Sequence, residues 1–454
     1  MTNPPATGAA ARGQPAYRQS LAGTFAEATG GHGLTTATYQ SNLAELDRHV
    51  AALGHDRRSG RLPLLSIVDD TADIAAARAA LERLSIGART IVFFGTGGSG
   101  LGGQTLAQLS GWNIAGAADA SQKNRPRTRF YDNLDGLTLE RALRSLDLAT
   151  TRFVVTSKSG GTVETLVQAV AALSAVKAAG LERDIPRLFL GLTEPARPGT
   201  ANGLRGLFES LGIALLDHHT GIGGRFSVLS NVGLLPALAR GLDAGRIRAG
   251  AASVADGLDA GQASGFAPAE GAALAVGLQR ERGIGTHVFI PYADRLGKLS
   301  HWFVQLWAES LGKGGHGTSP IACLGPLDQH SQLQLFMDGP RDHLITLLRT
   351  PTAGTGPRID ARYAEASGIG FMAGKSIGDL VAAQTEAVPQ ALQQAGRPVR
   401  TIDIPRLDEF SIGALLMHFM IETILVARLD GIDPFDQPAV EAAKQIARER
   451  LGRA

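Results

Sequence analysis

The stretch Ile91-Val92-Phe93-Phe94-Gly95-Thr96-Gly97-Gly98-Ser99-Gly100-Leu101-Gly102-Gly103 runs four consecutive apolar residues into a glycine loop. The segment that follows, Gln104 to Leu109, has helical spacing. Strand, glycine loop, helix is the opening of a parallel α/β unit, because an apolar run without alternation suits a strand covered on both faces. Such a loop exposes backbone N–H groups at a helix start, where an anion can be held. Ser99 adds a hydroxyl donor. The same letters satisfy G-x-G-x-x-G through Gly95, Gly97 and Gly100, so a dinucleotide site is the competing reading. It is disfavoured because the ribose-binding acid belongs about 20 residues on, and the nearest candidate, Asp132, lies 32 residues beyond Gly100.

Outward from this loop, further strand signals fall at Arg129 to Tyr131, Phe153 to Thr156 and Leu188 to Leu192, with helical spacing between them as in Thr162 to Ala179. The pattern predicts a doubly wound parallel lobe over residues 60–240. A second set starts at His287 to Ile290, continues through a helix at Leu299 to Leu311, and adds strands at Leu333 to Met337 and His343 to Leu348. Residues 241–425 therefore hold Ala/Gly-rich connecting helices and a second α/β lobe. Residues 1–59 read as a loose Pro/Ala/Gly tail with a helical extension, and 426–454 as a C-terminal arm. Pro351 to Pro357 is a surface loop.

Composition narrows the function classes. The 454 residues carry 44 Lys plus Arg against 42 Asp plus Glu, a balance that gives no nucleic-acid surface, so an anionic ligand has to be caught locally. Cys323 is the only cysteine, which excludes an internal disulfide and a multi-cysteine zinc site and fits a reducing, cytoplasmic setting. The N-terminal stretch lacks the apolar run of a signal peptide. Ile412 to Leu429 is strongly apolar but is interrupted by His418, Glu422 and Arg428, which suits a buried helix and not a membrane span. His418 and Glu422, four apart, read as a satisfied pair on one helix face. Together with His218, His219, His301, His316 and His343 they form no metal-ligand motif, so no metal is expected.

A second polar loop, Ser157-Lys158-Ser159-Gly160-Gly161-Thr162, follows the strand Phe153 to Thr156. Alone it could be a helix start capped by Thr162. Paired with Gly97, Gly98 and Ser99, it supplies the several hydroxyl and N–H donors that one phosphate tetrahedron needs.

With these two loops, three more segments resemble the glucose-6-phosphate isomerase family. They are Gly223-Gly224-Arg225-Phe226-Ser227, then Trp307 to Lys313 with His330 placed 21 residues after Glu309, and Asp433-Pro434-Phe435-Asp436-Gln437-Pro438 with Lys444 beyond. The resemblance implies two doubly wound sugar-isomerase lobes and an aldose-ketose isomerase of glycolysis and gluconeogenesis. It would act on a small sugar phosphate through an enediolate, with no cofactor. By the same resemblance Glu309 would be the base that moves a proton between C2 and C1, a role that a carboxylate near Leu306 and Trp307 could serve with raised basicity. Arg225 would face the enediolate oxygens, and His330 and Lys444 would assist ring opening. Gln305 and Gln437 would bind sugar or phosphate. Each of these residues also has a plain alternative: a solvated helix glutamate, a surface ion pair, a structural histidine, and a Lys444–Glu441 helix pair.

Gly161 departs from the family's usual hydroxyl residue, which leaves one phosphate hydrogen bond missing or supplied by backbone. Gly100 and Ala439 also differ. The resemblance further implies a homodimer with His330 reaching the partner's site, and no membrane or nucleic acid as partner. Two other readings stay open: tolerance for mannose 6-phosphate, and a sugar-phosphate sensor that binds without turnover.

Overall fold

Two five-stranded sheets organise the chain, with strand order β3-β2-β4-β5-β6 in one and β1-β10-β9-β7-β8 in the other. The computed structural model describes residues 15–117 and 122–452; of the loose tail expected over residues 1–20, the part up to residue 14 lies outside the described residues, and Arg18–Ser20 is not loose but a strand, because the Val399–Asp403 strand offers it a free edge to pair with. The first sheet consists of β2 (Thr90–Phe94), β3 (Arg127–Tyr131), β4 (Thr151–Thr156), β5 (Phe189–Thr193) and β6 (Ala214–Asp217), all parallel. In chain order this is the 2-1-3-4-5 arrangement of a doubly wound fold. The second sheet holds β7 (Thr286–Pro291), β8 (Ser319–Ala322), β9 (His343–Arg349) and β10 (Val399–Asp403) in parallel. Its edge is β1 (Arg18–Ser20), antiparallel to β10.

The central strands are apolar throughout because both faces are covered. Val92, Phe94, Phe153, Val155 and Phe189 point to one side and pack with Ala169, Ala172 and Val176 of the Val163–Ala178 helix. Ile91, Phe93 and Val154 point to the other, into a core that also takes Phe289 and Ile402 of the second sheet. Alternate residues of a strand face opposite ways, so each layer claims every second side chain.

The Glu409–Asp430 helix runs through that shared core with nearly all of its residues buried. It packs on the Ala244–Ala255, Ala267–Arg282 and Gly297–Leu311 helices. Asp408 and Ser411 cap its start reciprocally, and Gly431 ends it at φ +68°. The expected His418–Glu422 pair forms, at 2.9 Å. A second expectation also fails: Leu333 to Met337 is not a strand but part of the Leu333–Asp338 helix. Only Phe336 in it is buried, and a short run of that length satisfies either period.

Three buried histidines make the fold sensitive to acid. Burial pushes His287 down to about 3 and His218 down to about 4, and it lowers His418 as well. A histidine kept neutral in the folded state contributes stability that is complete above its unfolded value near 6.5 and is lost as pH falls below it. Each contributes a slope of about 1.4 kcal/mol per pH unit in that window. The melting temperature is therefore expected to fall steadily from pH 6.5 to pH 5, and His287→Gln to make that slope shallower by about one proton. An unchanged slope in the variant would remove His287 from this account.

Candidate functional site

In a doubly wound sheet the ligand crevice lies beyond the carboxyl ends of the strands where the order reverses, which here falls between β2 and β4. The two phosphate-type loops read from the sequence follow those two strands. They are tied together by Thr96 Oγ1 and Thr165 Oγ1, 3.2 Å apart. Within the second loop Ser157 Oγ donates to Thr162 Oγ1 at 3.0 Å, and the Gly161 N–H donates to Ser159 Oγ at 3.2 Å. Thr162 occupies the cap position of the Val163–Ala178 helix, yet its side chain makes no capping bond. The first N–H groups of that helix stay available to an anion. Gly160 is required at its position: φ is +65°, and a Cβ would fall 1.6 Å from Asn202 Oδ1. Lys158 lies 3.8 Å from Glu194.

The glycine loop closes on the Gly223–Ser227 segment. A Cβ on Gly98 would lie 2.3 Å from the Gly224 carbonyl carbon and 2.6 Å from the Arg225 nitrogen, so the two backbones touch only because Gly98 has no side chain. Ser227 Oγ donates to the Gly224 carbonyl at 2.6 Å and reaches the Gly98 carbonyl at 3.4 Å. This contact places Arg225 directly beneath the loop that carries Ser99.

Arg225 is buried, with its side chain only 3% exposed, and it binds five groups. Nε donates to Ser310 Oγ at 2.8 Å, and Nη1 to Glu309 Oε2 at 3.2 Å and Gln437 Oε1 at 2.8 Å. Nη2 donates to the carbonyls of Pro434 and Asp436. Burial pulls the guanidinium below its ordinary value, while Glu309, Asp436 and Asp433 oppose that and favour the cation. Gln305 Nε2 donates to the other oxygen of Glu309 at 3.1 Å. The same amide abuts the glycine loop, since a Cβ on Gly97 would meet Nε2 at 2.9 Å.

Glu309 and Gln305, four apart on the Gly297–Leu311 helix, thus share one face. Leu306 and Trp307 are buried in the core, and Glu309 keeps 36% of its side chain exposed. The result is a partly exposed carboxylate beside a buried cation, with the glycine loop against both Gln305 and the Arg225 backbone. That arrangement can move a proton on a substrate carbon and stabilise negative charge that develops on adjacent oxygens.

The structure does not bring every expected residue here. His330 ends a short turn, Leu327–His330, where it is exposed and makes no contact with Glu309. Lys444 sits on the exposed Glu441–Gly452 helix, paired with Glu441 at 2.7 Å. Three positions went unread in the sequence. Ser310 aims Arg225. Lys313 pairs with Asp436 at 2.7 Å and donates to the Asp433 carbonyl, so it anchors the C-terminal arm. Ser227 ties two loops. Lys313 stands in the motif that ends at Gly312-Lys313, and a lysine at a helix end facing an Asp-rich arm was the available signal.

The two sheets with paired phosphate-type loops at a strand-order switch, above an Arg–Glu pair, define a phosphosugar isomerase class of protein. The sequence model of phosphoglucose isomerase matches residues 85–452, and the chain belongs to that family. The glucose-6-phosphate isomerase of Rubrobacter xylanophilus is 35% identical over 372 residues, covering 81% of this chain and 84% of the relative. Among solved structures, a hypothetical protein from Thermus thermophilus superposes with a TM-score of 0.80 at 29% identity, over 96% of this chain and 99% of that one. A glucose-6-phosphate isomerase from Chlamydia trachomatis shares the fold, with a TM-score of 0.70 at 22% identity over 89% and 78% of the two chains.

Proposed function

We propose that this site interconverts glucose 6-phosphate and fructose 6-phosphate through an enediolate. The observation that carries the reading is the shared guanidinium of Arg225, held between Glu309 and Gln437 beneath the glycine loop. Ser99, Ser157, Ser159 and Thr162 bind the phosphate with backbone N–H groups, and Lys158 adds a positive charge nearby. Glu309 takes the proton from C2 and returns it at C1; Arg225 faces the enediolate oxygens. His330 and Lys444 serve ring opening.

A homodimer with shared sites accounts for the position of His330. Leu327 and Leu335 flank it, 66% and 48% exposed, and such apolar side chains around a polar group suit a covered interface. If each site combines one subunit's Glu309 with the other's His330, Glu309→Gln and His330→Ala chains are each inactive and regain activity on co-refolding. Random pairing makes about half the dimers mixed, each with one intact site of two, so about a quarter of wild-type activity is expected. Mixed dimers without activity would refute sharing. A coupled assay with fructose 6-phosphate tests the reaction itself, and a parallel one with mannose 6-phosphate reads tolerance at C2. Fructose 6-phosphate binding without turnover would mark a sensor.

A further inference from the structure

At the opposite end of the first sheet from the candidate site, the strand starts surround a cavity of about 530 Å3. Its walls carry Arg89, Lys123, Arg125, Arg127 and Arg129 against a single carboxylate, Asp147. Basic and acidic residues are almost balanced over the whole chain, 44 to 42, so this excess is a local feature and not a consequence of composition.

The fold holds these cations together. Register pairs Thr90 with Arg127 and Val92 with Arg129, and the two arginines, two apart on β3, share a face. The Arg127 N–H donates to the Arg89 carbonyl at 2.8 Å. Arg125 lies against Gly241, where a Cβ would fall 2.5 Å from its guanidinium. Among the described residues none of the five cations has an ion pair or side-chain hydrogen bond. Asp147 forms no ion pair with any of them, its carboxylate accepting from the Ala149 N–H at 3.2 Å and from Thr150 Oγ1 at 2.8 Å, and its one negative charge leaves the five cations in large excess.

Unpaired like charges around a concavity repel one another and focus a positive potential into it. Planar guanidinium forks match phosphate oxygens two at a time, and small-molecule sites run from about 300 to 1,000 Å3. We infer that this depression binds an anion with two or more linked phosphates, the chemistry shared by inorganic polyphosphate and nucleoside triphosphates. A sugar monophosphate carries too little charge to answer five cations, and its own loops lie about 17 Å away, one strand length. Both sites can be filled at once.

The test is calorimetric titration of the full chain with inorganic tripolyphosphate, and separately with ATP, at low salt. Saturating fructose 6-phosphate blocks the other site. One additional site per chain is expected, weakened by added salt. Arg127→Glu with Arg129→Glu is expected to weaken it about tenfold or more while isomerase kcat/KM is unchanged. Because β3 is an edge strand, Arg89→Gln with Arg125→Gln, which leaves the strand intact, should also weaken it. Equal affinity for the two ligands assigns recognition to the phosphate chain, and tighter ATP adds a contribution from the nucleoside. Loss of the signal when fructose 6-phosphate is present, unaltered affinity in both double variants, or no uptake of tripolyphosphate by the wild-type chain would overturn the inference.

Discussion

Glu309→Gln is expected to lower isomerase turnover by about 100 to 10,000-fold while fructose 6-phosphate still binds. The substitution removes the proton acceptor and the negative charge facing Arg225, whose guanidinium keeps Ser310, Gln437 and the carbonyls of Pro434 and Asp436 as partners. Glutamine keeps an oxygen to accept from Arg225 Nη1 and stays on the same helix face as Gln305. The glycine loop after β2 meets this face at Gln305 Nε2, which the substitution leaves in place, so ground-state binding is expected to persist. Two readouts separate this from a general loss of structure: the dissociation constant of fructose 6-phosphate stays near wild type, and exchange of the C2 proton with solvent falls with turnover. Turnover close to wild type would remove Glu309 from the mechanism.

The second large effect concerns stability. Arg400 and Glu422 form an ion pair with both side chains fully buried. The guanidinium donates to both carboxylate oxygens at 2.7 Å and also binds Gln19 Oε1. His418 lies 2.9 Å from Glu422 and 2.6 Å from the Tyr17 hydroxyl. Burial pushes the Glu422 carboxyl up, but Arg400 and His418 together outweigh it and hold it at about 2. Arg400→Leu strands that carboxylate in the core, and removing one partner of a buried pair costs about 3 to 5 kcal/mol. Urea denaturation should show that loss, and Arg400→Leu with Glu422→Leu should recover part of it, because two apolar residues leave no orphan charge. A single variant as stable as wild type would mean that the carboxylate takes up a proton at little cost.

The parts of this molecule that were legible in its sequence are those whose chemistry is local. A tight loop at a strand end needs glycines and hydroxyl residues within a few positions, so the loops at Gly97 to Ser99 and Ser157 to Thr162 could be placed directly, and the apolar runs of β2, β4, β7 and β9 with them. Arg225 and Glu309 were marked by their flanking residues, but their pairing joins positions 84 apart, and the fixing of Arg225 by the arm at Pro434 to Gln437 spans more than 200. No local pattern encodes that. β1, β6, β8 and β10 went unread as strands, β1, β6 and β8 because each has only three or four residues and β10 because the adjacent Arg400 and Thr401 break its apolar residues into neither a run nor an alternation. Arg400 and Thr401 are nonetheless buried there. His418 and Glu422 could be matched by helical spacing, yet the arginine that completes the cluster lies on another element.

The pairing of β1 with β10 orders events during synthesis. Gln19 is made early and then waits for Arg400, a partner 381 residues downstream, whereas β2 through β6 have all their neighbours by residue 217. The first sheet can close while the chain is still emerging; the second cannot, since its edge is supplied from one end and its neighbouring strand from the other. Contacts of such long separation are slow to form, and until they do β10 has an open flank able to pair with another nascent chain. Closure of the second sheet is therefore a late step, and the interval between emergence of residue 403 and docking of residues 18–20 is when its open flank most needs dilution or a chaperone.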